Sequence, residues 1–264
     1  MLTLKNILSL NVYVCPKFRK VIHRIARSLF GIWALIVFIV TLVLAGTAYY
    51  ITFILASDKK APHIAHQYIS RPWAWTLFFF FGIRLNIKGT HRPDPKKVYV
   101  FVCNHQSQLD IPAYALVAPN TIRFLAKEEL TKIPIMGFVI RKLYISVNRS
   151  DKKARARSME NMMSSLNEGI SVFICPEGTR NRRTDNLLPF HDGAFRLAIQ
   201  SQVPIAVLTI KNSGELLSPL RPIELKPGKI HCTWSSIIET KGMSETDVPQ
   251  LKEKVYKIMS DNLH

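Results

Sequence analysis

The segment VCNHQSQLDIP, residues 102–112, places an imidazole and a carboxylate five positions apart just beyond an apolar run. The pair is His105 and Asp110. An aspartate that accepts the imidazole Nδ1–H fixes the tautomer and leaves Nε2 as a base. Imidazole titrates near neutral pH, so it can take a proton from a hydroxyl as that oxygen attacks a carbonyl. The competing reading is local, because Asn, His and Asp side chains after a strand often hydrogen-bond the backbone of their own turn. Ser107 admits a nucleophilic serine, but no G-x-S-x-G elbow surrounds it. A second polar group follows another apolar run, in CPEGTRNRRTDN at residues 175–186. There Gly178 lets the backbone approach an anion, beside Glu177 and Thr179. Arg180, with Arg182 and Arg183 beyond it, offers guanidinium groups that hold phosphate oxygens in bidentate fashion. A solvated basic loop is the alternative. Lys127 and Arg149 also stand at the ends of apolar runs and add positive charge.

Other reactive side chains are less telling. Of the eight histidines, only His105 follows a buried-strand pattern with a carboxylate close behind. His63 and His66 lie in linker-like sequence, and His191 sits in a polar loop near the basic segment. The four cysteines, Cys15, Cys103, Cys175 and Cys232, form no C-x-x-C pair, which leaves a zinc or thioredoxin-like site unsupported. Cys103 and Cys175 each close an apolar strand, where a small soft side chain packs well. The triplet Asn148-Arg149-Ser150 fits a glycosylation pattern that recurs by chance and carries no weight.

The elements that must position these groups alternate. VYVFVC (98–103), TIRFLAK (121–127), YISVNR (144–149), ISVFIC (170–175) and VPIAVLTI (203–210) have the short apolar pattern of buried strands. Between them, IPAYALVA, a helix broken at Pro134 and Gly137, the helix from Asp151 to Gly169, and GAFRLAIQSQ are expected as helices. PIELKPGKIHCTW is expected as a hairpin turned at Pro227-Gly228, and residues 246–263 as a closing helix. The alternation predicts an α/β domain with a mixed, largely parallel sheet core and flanking helices. In such sheets ligands bind beyond the carboxyl ends of the strands, where His105, Arg149 and PEGTR would all emerge.

Residues 29–56 contain no charged side chain. As a helix they would measure about 40 Å, longer than the roughly 30 Å hydrocarbon core, and too long for a signal-peptide core. Basic residues from Lys17 to Arg27 precede the run. A second apolar stretch, 72–83, is too short to span and carries Trp73 and Trp75, which suit a lipid interface; a buried helix of the domain is its other reading. The division expected is therefore a membrane-inserted helical segment over 1–84 and a catalytic domain over 85–264. With 36 Lys and Arg against 18 Asp and Glu, the net charge of +18 calls for an anionic partner, either nucleic acid or an anionic membrane.

Four ordered motifs, spanning roughly residues 86–212, carry a resemblance. NHQSQLD is similar to the N-H-x-x-x-x-D motif of the glycerolipid acyltransferases, and PEGTR to their E-G-T-R motif. FLAKEELTKIPIMGFVIRKLYISVNR and LLPFHDGAFRLAIQSQVPIAVLTI resemble two further blocks, and the order matches the 1-acylglycerol-3-phosphate O-acyltransferase family. The resemblance implies His105 as base and Asp110 as its partner. It also implies an acceptor-phosphate site of Glu177, Gly178, Thr179 and Arg180, with Arg149 and Lys127. The implied reaction moves an acyl group from an acyl-CoA or acyl carrier protein thioester to the hydroxyl of lysophosphatidic acid, without cofactor or metal. The catalytic domain is expected on the cytoplasmic face of a membrane, because thioester donors are cytoplasmic, the cysteines show no disulfide framework and the basic stretch favours that side. Two departures bear on acceptor identity: His191 and Asp192 stand where the family often has a basic residue, and Val207 where it often has a second proline. Another lysolipid acceptor is the near alternative. A membrane-anchored nucleic-acid-binding protein is the distant one, although no nucleic-acid module is recognisable.

Overall fold

The computed structural model describes residues 16–89, 91–148, 151–182 and 187–264. Arg149, Arg183 and the glycosylation-like triplet, whose last two residues are Arg149 and Ser150, lie outside or across the described residues, as does Cys15. Among the described residues, a seven-stranded sheet forms the centre, in the order β1-β7-β6-β2-β5-β3-β4. Its strands are β1 (Ile83–Lys88), β2 (Val100–Cys103), β3 (Ile122–Lys127), β4 (Ile145–Val147), β5 (Ser171–Ile174), β6 (Ile205–Lys211) and β7 (Gly228–Ile238). Every pairing is parallel except β6 with β7. The sheet is thus mixed and mostly parallel, with flanking helices.

The strands that lead to the polar loops are buried on both faces, which is why they read as continuous apolar runs without alternation. In β2 successive side chains nonetheless go to opposite layers. Phe101 and Cys103 join one hydrophobic cluster with Tyr114, Phe124, Phe173 and Trp234. Val100 and Val102 join the other with Val172, Val207, Phe195 and Val255. The second layer is built by α6 (Lys152–Asn167), α7 (Gly193–Ser201) and α8 (Val248–Leu263). Asp151 caps α6 by accepting from Lys153 N at 2.8 Å. Gly169 follows that helix at φ +80°, a conformation that favours glycine.

The first layer is built largely by α1 (Pro16–Leu55), α3 (Arg71–Phe80) and α4 (Asp110–Val117), with α2 (Ala61–Ile64) and a π-helical turn (Ala65–Ser70) between α1 and α3. Helix α1 is long and apolar enough to cross a membrane. It buries one stripe, including Ala34, Val37, Leu42, Ala45 and Tyr49, and exposes Leu29, Ile32, Ile36, Val40, Val43 and Leu44 on the rest of its surface. The buried stripe follows the domain from end to end. Arg24 pairs with Glu224 at 2.8 Å, Trp73 donates to Thr41 at 2.9 Å, and Phe53 packs on Phe138 of α5 (Met136–Leu143). Helix α3 is two-sided as well, with Ala74, Leu77 and Phe78 in the core and Trp75, Phe79 and Phe80 exposed.

Several expectations need correction. The hairpin at 222–234 is absent: Gly228–Ile238 is one strand, held between β1 and β6, and the segment before it is irregular. Pro222 and Pro227 lack N–H donors, and Lys226 N turns back to Leu216 O at 2.8 Å instead of joining a ladder. Strand β1 lies at the end of the 72–83 apolar stretch, so the expected division at 84/85 falls inside it. The helical segment shares a hydrophobic cluster with the sheet across that division. Residues 61–70 are helical, and His66 is buried while His63 bonds Thr121 at 2.8 Å, so neither belongs to a loose linker.

Candidate active site

Strand β2 lies between β6 and β5, so the loop after it is flanked by the loops after both neighbours. Asn104 extends the ladder by one residue: its side chain donates to Ile210 O at 2.8 Å and accepts from Ile210 N at 2.7 Å. Tyr114 Oη donates to Asn104 O at 2.7 Å from the opposite side. The residue before His105 is therefore fixed by two elements.

His105 Nδ1 meets Asp110 Oδ2 at 2.8 Å. The same oxygen accepts from Gln106 N at 2.7 Å and Ser107 N at 2.8 Å. Asp110 is fully buried in the first turn of α4, where the helix dipole favours a negative charge. The imidazole keeps 18% of its side-chain surface exposed, which suits a base that must meet a substrate. One carboxylate oxygen both closes the turn and orients the ring, so the local reading and the catalytic one do not compete. Ser107 Oγ donates to Leu217 O at 2.7 Å and is buried, so it braces the loop after β6 and does not present itself as a nucleophile.

Glu177, expected in the acceptor-phosphate site, has its carboxylate engaged with backbone amides. Its Oε1 accepts from His105 N at 2.9 Å and its Oε2 from Leu188 N at 3.0 Å. Burial pushes its carboxyl above the usual range, opposed by the backbone donors of Leu188 and His105. A carboxylate also repels phosphate. The residue ties the loop after β5 to the His105 loop, and Asn181 N adds a second tie to His105 O at 2.7 Å. Sequence reasoning grouped Glu177 with its neighbours because nothing local shows that its partner is a backbone amide 72 residues away.

Gly178 holds φ +68°, and a Cβ there would lie 2.8 Å from His191 Cδ2, so the imidazole of His191 rests on the glycine. Thr179 is exposed and Arg180 is half-buried on the same loop. Lys127 ends β3, is largely exposed, and pairs with Glu129 at 3.1 Å. The structure thus joins His105, Asp110 and Glu177 by direct bonds and keeps Gly178, Thr179 and Arg180 on the adjoining loop. Lys127 engages a carboxylate of its own, and Arg149 is outside the described residues. Cys103 is buried behind the site, and burial raises its thiol pKa well above the ordinary value.

A deep His–Asp pair at the carboxyl edge of this sheet defines a class that comparison with known proteins makes specific. A family model described as Acyltransferase matches residues 84–211, from β1 to the end of β6. The mouse 1-acyl-sn-glycerol-3-phosphate acyltransferase alpha is 32% identical over 180 residues, which cover 67% of this chain and 62% of the mouse protein. The human alpha protein is 31% identical over 199 residues, covering 74% of this chain and 69% of the human one. The 1-acyl-sn-glycerol-3-phosphate acyltransferase of Saccharomyces cerevisiae is 27% identical over 236 residues, covering 85% and 75%. The crystal structure of the 1-acyl-sn-glycerophosphate acyltransferase PlsC from Thermotoga maritima superposes with a TM-score of 0.75 at 22% identity, covering 92% of this chain and 95% of that one; the fold is the same. The chain belongs to the 1-acyl-sn-glycerol-3-phosphate acyltransferase family.

Proposed function

We propose that this chain transfers a fatty acyl group from a thioester to the free hydroxyl of lysophosphatidic acid, giving phosphatidic acid. The observation that carries the reading is the 2.8 Å contact between His105 Nδ1 and Oδ2 of the buried Asp110 carboxylate. With Nδ1–H donated to Asp110, Nε2 takes the hydroxyl proton while the oxygen attacks the thioester carbonyl. The tetrahedral intermediate collapses, the C–S bond breaks, and the leaving thiolate recovers the proton from the imidazolium. The amides of Gln106 and Ser107 are committed to Asp110 and that of His105 to Glu177, so donors to the oxyanion come from elsewhere in the site. Arg180, half-exposed beside the tie made by Asn181, is the residue we assign to the acceptor phosphate, with Gly178 and Thr179 supplying close backbone approach. Acyl-CoA and acyl carrier protein are both suitable donors, and no cofactor or metal enters the scheme.

Helix α1 supports a monotopic attachment. From Arg24 to Phe53 it extends about 44 Å, and residues near both of those positions dock on the same domain. A helix held along one face of the domain lies in the interface; it does not pass through the membrane to the other side. We place the domain on the cytoplasmic face, where thioester donors occur.

The test is an acyl-transfer assay with lysophosphatidic acid and a matched acceptor lacking the phosphate. In Arg180→Ala, KM for lysophosphatidic acid should rise by about 10- to 100-fold, the value of a charge-assisted contact, while KM for the thioester changes little. Equal loss on both acceptors would assign Arg180 a structural role and leave the phosphate site to be found elsewhere.

A further inference from the structure

A cleft of about 450 Å³, with no residue of the His105 loop in its lining, lies between the basic start of α1 and the irregular segment before β7. One wall is a single stripe of α1 formed by His23, Ala26, Arg27 and Phe30, at the i, i+3, i+4 and i+7 positions of a helix. The other wall is Leu225, Lys226 and Pro227. The volume is in the range of small-molecule sites.

Acidic residues stand at the margin of this cleft, where Arg27 also borders a second cleft lined by Glu215 and Glu224, and not in its lining. Of the neighbouring cations, Arg24 and Arg221 both pair with Glu224, at 2.8 Å and 3.4 Å. Arg27 makes only a long contact of 3.4 Å to a backbone oxygen, Glu215 O, and neither it nor Lys226 has a carboxylate within ion-pair distance among the described residues. No Asp or Glu lines the cleft. A site with cationic groups above an apolar floor of Ala26, Phe30, Leu225 and Pro227 matches an amphiphile that carries a phosphate over hydrocarbon.

The surroundings indicate where that amphiphile resides. On the α1 side, Val21, Ile22, Ile25 and Leu29 are exposed, and on the loop side so are Leu220 and Ile223. The two walls are tied closely, because a Cβ on Gly31 would lie 1.6 Å from Ile223 O. The cleft therefore opens between two exposed apolar surfaces continuous with the membrane-competent helix. We propose that it binds the headgroup of an anionic phospholipid of the bilayer, with the phosphate between Arg27 and Lys226 and the glycerol against Phe30 and Pro227. The site fixes how deeply and at what angle α1 lies in the interface. This inference does not depend on the acyl-transfer reading.

Vesicle co-sedimentation of the full chain tests it, using phosphatidylcholine alone and phosphatidylcholine with one-fifth phosphatidylglycerol, at a salt concentration that screens exposed charges. The readout is the ratio of affinities for the two vesicles, which removes any general change in interfacial anchoring. Arg27→Gln with Lys226→Gln should lower that ratio by about 10-fold or more, from roughly 1 kcal/mol per basic residue. Ala26→Trp, which fills the cleft without changing charge, should lower it similarly. Arg19→Gln with Lys20→Gln removes the same charge from exposed positions outside the cleft and should leave the ratio nearly intact. Retention of the ratio in Ala26→Trp, or an equal loss in both double variants, would reduce the effect to general surface charge and overturn the site. Unchanged vesicle binding with a raised KM for the thioester in Arg27→Gln with Lys226→Gln would overturn it in favour of a donor site.

Discussion

Asp110 meets the imidazole of His105 with an oxygen that also accepts two backbone N–H groups, so ring orientation and loop closure rest on one atom. His105→Ala should lower kcat by about 10²- to 10⁴-fold, the usual contribution of a general base, with acceptor binding little changed. Asp110→Asn removes the charge that stabilises the imidazolium and weakens the hold on the tautomer, so its loss should be as large or smaller. The double variant should fall no further than His105→Ala alone, and additive losses would separate the two residues functionally. Glu177→Gln is a different kind of change. One buried backbone donor would face an amide NH₂ in place of an oxygen, at a cost of about 1 to 3 kcal/mol in denaturant unfolding. Because that donor is either His105 N or Leu188 N, kcat should fall with KM for the acceptor nearly constant; a change confined to KM would return Glu177 to the phosphate site. The His105–Asp110 pair was legible in the sequence because its geometry is local, a spacing that closes one turn. The role of Glu177 was not, because its partners come from a different loop and are backbone atoms, which leave no mark in residue types.

At the scale of elements, the strands buried on both faces were legible as apolar runs, and the helix opened by Asp151 and followed by Gly169 as a pattern with both of its ends marked. The edge of the sheet was not. Strand β1 follows the aromatic run of α3 without a polar break, and its partner β7 is set by a parallel pairing across some 140 residues of chain, from Ile83 with Gly228 onward. Pro227-Gly228 suggested a turn between strands, whereas it ends an irregular segment that instead shapes the cleft beside α1. The loop after β5 shows how tightly an element can be specified. Gly178 carries two constraints, a left-handed backbone and the ring of His191 at close range. Gly178→Ala should destabilise the loop by about 1 to 2 kcal/mol from the backbone alone and raise KM for the phosphate acceptor. Adding His191→Ala relieves the contact but not the backbone, so the double variant should recover only part of the loss. Full recovery would show that the left-handed conformation carries no strain there.

For the whole molecule, the question is how a 40-residue apolar helix that is long enough to cross a membrane is placed against the domain. Length and composition of the apolar run do not record which face of a helix is already occupied. Packing does. The stripe of Ala34, Val37, Leu42, Ala45 and Tyr49 is committed to the domain, and the exposed remainder is apolar along most of the helix. Lys142 Nζ lies 5.6 Å from the Phe53 ring, so the far end of α1 stays beside a charged surface of the same domain. Crossing the bilayer would require undocking one end and exposing this stripe. Single cysteines introduced at Arg19 and Lys60, both exposed and at opposite ends of the apolar run, test this in sealed vesicles. Cys103 and Cys232 give no background, since both are buried, and burial pushes the Cys232 thiol up to about 12. Cys15 and Cys175 are replaced by serine. A membrane-impermeant maleimide should modify both introduced thiols from the side that bears the catalytic domain, and neither from the other. Labelling of the two from opposite sides would establish a spanning helix and reject the monotopic arrangement.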